Sequence, residues 1–130
     1  MEMTQTAKIV IVDDEVHIRA LLEQTLEDLE GEPEILTAPN GAEGLALIER
    51  ERPQLVFLDV MMPLMNGYEV CAAVRKDPAL FNTAVVMLTA KGQEADRTRG
   101  LEAGAHHFVT KPFDPDEILD LAREILAHSP

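Results

Sequence analysis

Two unbroken apolar runs, each stopped by carboxylates, constrain the fold of this 130-residue chain more than any other feature. Leu55–Leu58 ends in Asp59, and Ile9–Val12 ends in Asp13, Asp14 and Glu15. A run without polar alternation predicts a strand buried on both faces, the environment of a parallel sheet covered by helices. After Asp59, Pro63 has no N–H for a sheet ladder, and Asn66-Gly67 signals a turn that can also cap a helix. Asp59 therefore falls where a core strand becomes a loop. In open parallel sheets, ligands bind in the crevice beyond that edge. The plainer reading is a carboxylate that merely caps its loop.

The rest of the chain alternates in the same manner. Residues 1–7 read as a short polar leader, and the first strand is Ile9–Val12. Apolar residues at 18, 21, 22, 25/26 and 29 predict a helix over Val16–Leu29, ended by Gly31 and Pro33. A short edge strand follows at Glu34–Ala38, then a turn at Pro39-Asn40-Gly41 and a helix at Ala42–Arg50. The helix after Gly67 carries Tyr68, Val70, Cys71 and Val74 and stops near Asp77-Pro78. Ala84–Leu88 is a fourth strand leading into Thr89-Ala90, with a loop at Lys91-Gly92. A polar helix over Glu94–Ala103 has Leu101 as its one large aliphatic residue, a pattern of loose packing. His106–Thr110 is a fifth strand before Lys111-Pro112. Asp114, Pro115 and Glu117 mark a capped last helix with an apolar stripe at 118, 121, 122, 125 and 126. Five strand–helix alternations predict one α/β domain over 8–127, a doubly wound parallel sheet with right-handed crossovers and a tail at 128–130.

Charge narrows the function. Lys plus Arg number 11 against 24 Asp plus Glu, a net charge of −13. Such a surface repels phosphate backbones and anionic membranes, so neither nucleic acid nor membrane is an expected direct partner. No apolar run reaches the roughly 18–20 residues of a membrane span, and residues 1–8 lack a signal peptide's pattern. A single cysteine, Cys71, excludes an internal disulfide and fits a cytoplasmic setting.

Four of the five strands end in groups useful for chemistry: Asp13/Asp14, Asp59, Thr89 and Lys111. All should project from one edge of the sheet. Carboxylates about 4 Å apart at an effective dielectric near 20 repel by roughly 4 kcal/mol per pair, so a proton or a cation must relieve them. Oxygen ligands with room for water suit Mg²⁺. Thr89 offers a hydroxyl and Lys111 a point charge, both suited to a phosphoryl group. Asp59 is then a natural nucleophile for forming an aspartyl phosphate.

Taken together, the stretches IVIVDDE, LVFLDVMMPLMNGYEV, VVMLTAKG and GAHHFVTKPF resemble a response-regulator receiver domain, from about Lys8 to Leu126. That is the phosphoacceptor unit of two-component signalling. The resemblance implies a flavodoxin-like five-stranded sheet in the order 2-1-3-4-5. It implies that Asp59 accepts a phosphoryl group from a phosphohistidine, with Mg²⁺ as cofactor. Asp14, Asp59 and the Met61 backbone carbonyl would ligate the metal, and Asp13 would hold a metal-bound water. Lys111 would contact the phosphate, Thr89 would close onto it beside the small Ala90, and Phe108 would be the switching aromatic, without a tyrosine's hydroxyl. A cis Lys111–Pro112 bond is also implied. The implied partners are a histidine kinase or histidine phosphotransferase and a downstream target or output domain, read through the fourth helix, fifth strand and fifth helix. A docking partner should approach over the first helix, where Val16, Arg19 and Leu22 are the candidates for a partly exposed face.

The resemblance implies a signalling switch whose only chemistry is its own phosphorylation and dephosphorylation. Two other readings stay open: a Mg²⁺-dependent phosphatase with an aspartyl nucleophile, and a constitutive interaction module. The phosphatase family usually places an acid two residues after the nucleophile, where this chain has Met61. Met61, Met62 and Met65 read as packing and backbone ligand, and Cys71 as core. His106 and His107 have no third His or Cys at metal-site spacing, and stand where many relatives carry polar, often acidic residues.

Overall fold

In the computed structural model, which describes residues 6–90 and 94–128, five parallel strands form one sheet in the order β2-β1-β3-β4-β5. The strands are β1 Lys8–Val12, β2 Glu34–Ala38, β3 Leu55–Asp59, β4 Ala84–Ala90 and β5 His107–Lys111. Between and after them lie α1 Val16–Leu26, α2 Gly41–Glu51, α3 Gly67–Lys76, α4 Glu94–Ala103 and α5 Pro115–Ala127. This is the doubly wound α/β fold and the strand order expected. Most of the leader, the Lys91-Gly92 loop and the last two tail residues lie outside the described residues.

Strand alternation divides the core in two. Val10, Val12, Val56, Leu58, Val85 and Met87 face one side with Ile48 of α2 and Val70, Cys71 and Val74 of α3. Ile9, Ile11, Leu55, Phe57, Val86, Leu88 and Val109 face the other with Leu22 and Leu26 of α1 and Ile118 and Ala122 of α5. The three inner strands are apolar on both faces because helices cover both. Cys71 is buried in this core, as expected, and burial pushes its thiol up to about 11.

Local signals set the helix starts. Asn66 closes a capping box, accepting from the Glu69 N–H at 3.0 Å while its own N–H donates to Glu69 Oε1 at 3.0 Å. At α5, Asp114 accepts from the Asp116 N–H at 2.9 Å, a tighter turn than the box with Glu117 suggested by the sequence. The first helix stops three residues short of Leu29, although Leu29 is still buried in the turn that follows. Strand β5 is shifted one residue later than expected, because Ala90 pairs with Lys111 and keeps it in the ladder. On α4, Leu101 faces solvent, 53% exposed, and among the side-chain positions described on this helix the buried one is Gly100, where any Cβ would lie 2.6 Å from the Phe108 ring. The helix thus approaches Phe108 through a glycine. Among the described residues, no helix is long and apolar enough to cross a membrane.

Candidate functional site

The strand ends meet at one edge of the sheet, as their parallel direction requires. Asp59 is the last residue of β3, paired with Leu88, so Thr89 is the next residue along the neighbouring strand. Ala90 and Lys111 are paired one step further, at the ends of β4 and β5. Asp13 follows β1 directly and is fully buried; Asp59 and Thr89 are buried as well, while Asp14 is exposed. The loop after Asp59 folds back tightly. The Gly67 N–H donates to the Val60 carbonyl at 3.0 Å, and a Cβ on Gly67 would sit 2.3 Å from the Asp59 carbonyl oxygen. Only glycine allows α3 to begin so close to the end of β3.

Carboxylate oxygens of Asp13, Asp14, Glu15 and Asp59 all lie within 4.8 Å of one another. Lys111 reaches into this group: its Nζ is 2.9 Å from Asp13 Oδ2, 3.3 Å from Asp59 Oδ1 and 3.5 Å from Glu15 Oε1. Burial works against the lysine's charge, but its bonds to Asp13 and Asp59 outweigh that and raise its pKa above the ordinary lysine value. Burial, then the Asp13 charge, pushes Asp59 up to about 7, against the pull of Lys111 and the Met61 N–H, which donates to Asp59 Oδ1 at 3.4 Å. One ammonium does not balance four carboxylates. The donor set, oxygen throughout and with uncompensated negative charge, fits a hard divalent cation such as Mg²⁺. Among the described residues this is the only such cluster, and His106 and His107 have no part in it.

The sequence-predicted residues Asp13, Asp14, Asp59, Thr89 and Lys111 are thus gathered at one place. Met61 stands at its rim with its side chain 72% exposed, away from any packing role. Phe108 lies on β5 opposite Met87, half-buried beneath Gly100, with the Arg97 guanidinium 5.0 Å from its ring centroid. The Lys111–Pro112 bond is cis.

One expectation for the first helix fails. Leu22 is fully buried in the α1–α5 core and offers no surface, whereas Val16 is 68% exposed. Residue 22 shares the inward face with Ile18 and Leu26, and the side chain turned outward is Leu21. Arg19 is half-buried, with Nη1 donating to the Asp13 carbonyl at 2.7 Å. Sequence reasoning did not place Glu15 in the acid cluster, and it read Arg19 as part of an outer docking face and not as a residue that reaches in behind the cluster. Contiguity with Asp13-Asp14 was the signal for Glu15; the inward course of Arg19 has no sequence signature.

A family model described as the response regulator receiver domain matches residues 9–123. Over 122 residues the chain is 45% identical to "Probable transcriptional regulator ycf27" of Porphyra purpurea, covering 94% of this chain and 48% of that protein. It is 43% identical to the alkaline phosphatase synthesis transcriptional regulatory protein PhoP of Bacillus subtilis over 122 residues, covering 94% of this chain and 49% of that one. The chain spans about half the length of these curated relatives. Among solved structures, the chemotaxis response regulator CheY4 of Vibrio cholerae superposes with a TM-score of 0.84 at 33% identity, covering 93% of this chain and 99% of that one.

Proposed function

The chain belongs to the response regulator receiver domain family of two-component signalling, and from that premise we propose that Asp59 is its phosphoacceptor. The observation that carries this is the buried Asp59 carboxylate at a strand end, with the Lys111 ammonium 3.3 Å away and three further acids beside it. An Asp59 oxygen attacks the phosphorus of a phosphohistidine on a histidine kinase or phosphotransferase, and the imidazole leaves in line. Lys111 pairs with a phosphoryl oxygen and Thr89 donates its hydroxyl to another. Asp13, Asp14, Asp59 and the Met61 carbonyl would hold Mg²⁺, whose charge offsets that of the carboxylates and of the transferring group. Water later cleaves the acyl phosphate, so the domain, residues 8–127, works as a switch and turns over no outside substrate. Neither the phosphatase nor the constitutive-module reading is favoured; Met61 brings no acid two residues after Asp59.

Once phosphorylated, Asp59 carries a phosphoryl group of about −1.5 to −2 charge, with its oxygens projecting beyond the old carboxylate. Thr89 moves inward to meet it, and Phe108 turns into the space vacated, reshaping the face of α4, β5 and α5. That face addresses a downstream target or output domain; the ycf27 and PhoP relatives suggest control of transcription. The incoming partner docks at the α1 edge of the acid site, on Val16 and the outer flank of Arg19. A cytoplasmic location follows from that partner class.

The test is chemical shift mapping with beryllofluoride and Mg²⁺, a mimic of the phosphoryl group. Shifts should spread from Asp59 and Thr89 through residues 97–110. Thr89→Ala should accept phosphate from acetyl phosphate, seen as a base-labile mass gain, yet lose the shifts beyond the site. Shifts confined in the unmodified chain to the loops around Asp13 and Asp59 would contradict transmission by this route.

A further inference from the structure

Helix α1 begins without a side-chain cap, because Glu15 at its N-cap position makes no capping bond. The turn between β1 and α1 is held in other ways. The Asp13 N–H donates to the Ala38 carbonyl at 3.3 Å, and Asp13 Oδ1 accepts from the Glu15 N–H at 2.9 Å. A further tie is Arg19, whose Nη1 reaches back along the first turn of α1 to the Asp13 carbonyl at 2.7 Å. That carbonyl is part of the peptide plane that fixes where the Asp14 backbone goes. Asp13 is oriented by burial and by Lys111, but Asp14 is exposed, and packing does not set its direction.

We propose that Arg19 is a positioning residue for the metal: by gripping the Asp13 carbonyl it sets the Asp13–Asp14 peptide plane and aims the Asp14 carboxylate into the acid cluster. The inference rests on the reading of Asp13, Asp14 and Asp59 as the Mg²⁺ carboxylates. It assigns Arg19 an inward duty besides the docking role its place on α1 suggests. The sign of the effect separates positioning from charge. Arg19 is a cation bonded to the backbone carbonyl of Asp13, one member of the acid cluster, so by charge alone its removal tightens Mg²⁺ binding. Loss of an orienting partner in the shell behind a metal ligand weakens binding, typically about 10- to 100-fold.

The experiment is calorimetric titration of the whole chain with Mg²⁺ alone, for wild type, Arg19→Gln, Arg19→Ala and Arg19→Lys, with metal-free thermal melts alongside. Arg19→Gln and Arg19→Ala should bind Mg²⁺ about 10- to 100-fold more weakly while melting close to wild type. Arg19→Lys keeps a long cationic donor and should recover part of the affinity. Should Arg19→Ala not fold, the Gln and Lys variants decide alone. Binding by Arg19→Gln as tight as wild type or tighter overturns the proposal, as does a Lys variant no better than Gln. A wild-type chain that fails to bind Mg²⁺ overturns the metal reading itself, and this inference with it.

Discussion

Asp59→Asn is expected to end phosphoryl incorporation completely and, without metal, to make the domain more stable at neutral pH. The first effect follows because an amide oxygen is neither anionic nor able to form an acyl phosphate. The second follows from the environment of Asp59, where burial and the neighbouring Asp13 charge disfavour the ionised form despite Lys111. An acid raised in the fold from 3.8 to about 7 keeps its proton there longer than in the unfolded chain. The folded state therefore binds more protons in that interval, and stability falls as pH rises through it. Above the interval the loss is complete; below pH 3.8 both states are protonated and the loss vanishes. Asparagine has no charge to strain, so urea denaturation in EDTA at pH 7.5 should show a gain of about 1–3 kcal/mol for the variant. The gain should shrink toward zero as the pH is lowered to that of the ordinary carboxylate. Saturating Mg²⁺ should stabilise wild type more than the variant, because only wild type presents the full ligand set. An Asn variant less stable than wild type at pH 7.5 in EDTA would show that the acid cluster is not under electrostatic load.

Lys111→Met should have the next largest effect, on the rate of phosphorylation. Lys111 is shared by Asp13, Glu15 and Asp59. Once a phosphoryl group arrives, that ammonium is placed to meet the charge growing on its oxygens. Removing one such preorganised donor costs about 10²- to 10³-fold in rate. The variant should also leave Asp13 and Asp59 without the cation that lies between them, which disfavours the ionised form of Asp59 further when no metal is bound. Rapid-mixing measurement of phosphorylation by acetyl phosphate at saturating Mg²⁺ checks the rate. A Met variant within a few-fold of wild type would remove Lys111 from the chemistry and leave it a structural counter-ion.

The sequence was legible where one signal outweighed its rivals. The unbroken runs Ile9–Val12 and Leu55–Leu58 admitted no amphipathic strand, so a sheet covered on both faces and the placement of Asp13 and Asp59 at its edge followed. Asn66 and Asp114 marked helix starts because their side chains bond the first free N–H groups. Legibility ended where side-chain direction depends on packing between distant segments. Leu21 and Leu22 are equivalent in helical periodicity, and contact of α1 with Phe57 and α5 decided which went inward. The span of β5 could not be read from residues 106–110 alone, because its register comes from pairing with β4. Leu64, with φ of 69° and its side chain in solvent, occupies a backbone region that leucine rarely adopts, set by the loop from Pro63 to Gly67 and not by its own preference. Glu15 and Arg19 join the site through the path of one short turn.

The central claim is that the phosphoryl group rides on Asp59, and borohydride reduction tests it most directly. The reagent converts an acyl phosphate to an alcohol and leaves free carboxylates and phosphate esters intact. The chain, incubated with acetyl phosphate and Mg²⁺, reduced, digested and sequenced by tandem mass spectrometry, should carry homoserine at position 59. No other position should change, and the product should disappear when EDTA replaces Mg²⁺. Homoserine at position 13 or 14, or a phosphate that survives reduction on a hydroxyl or an imidazole, would contradict the account.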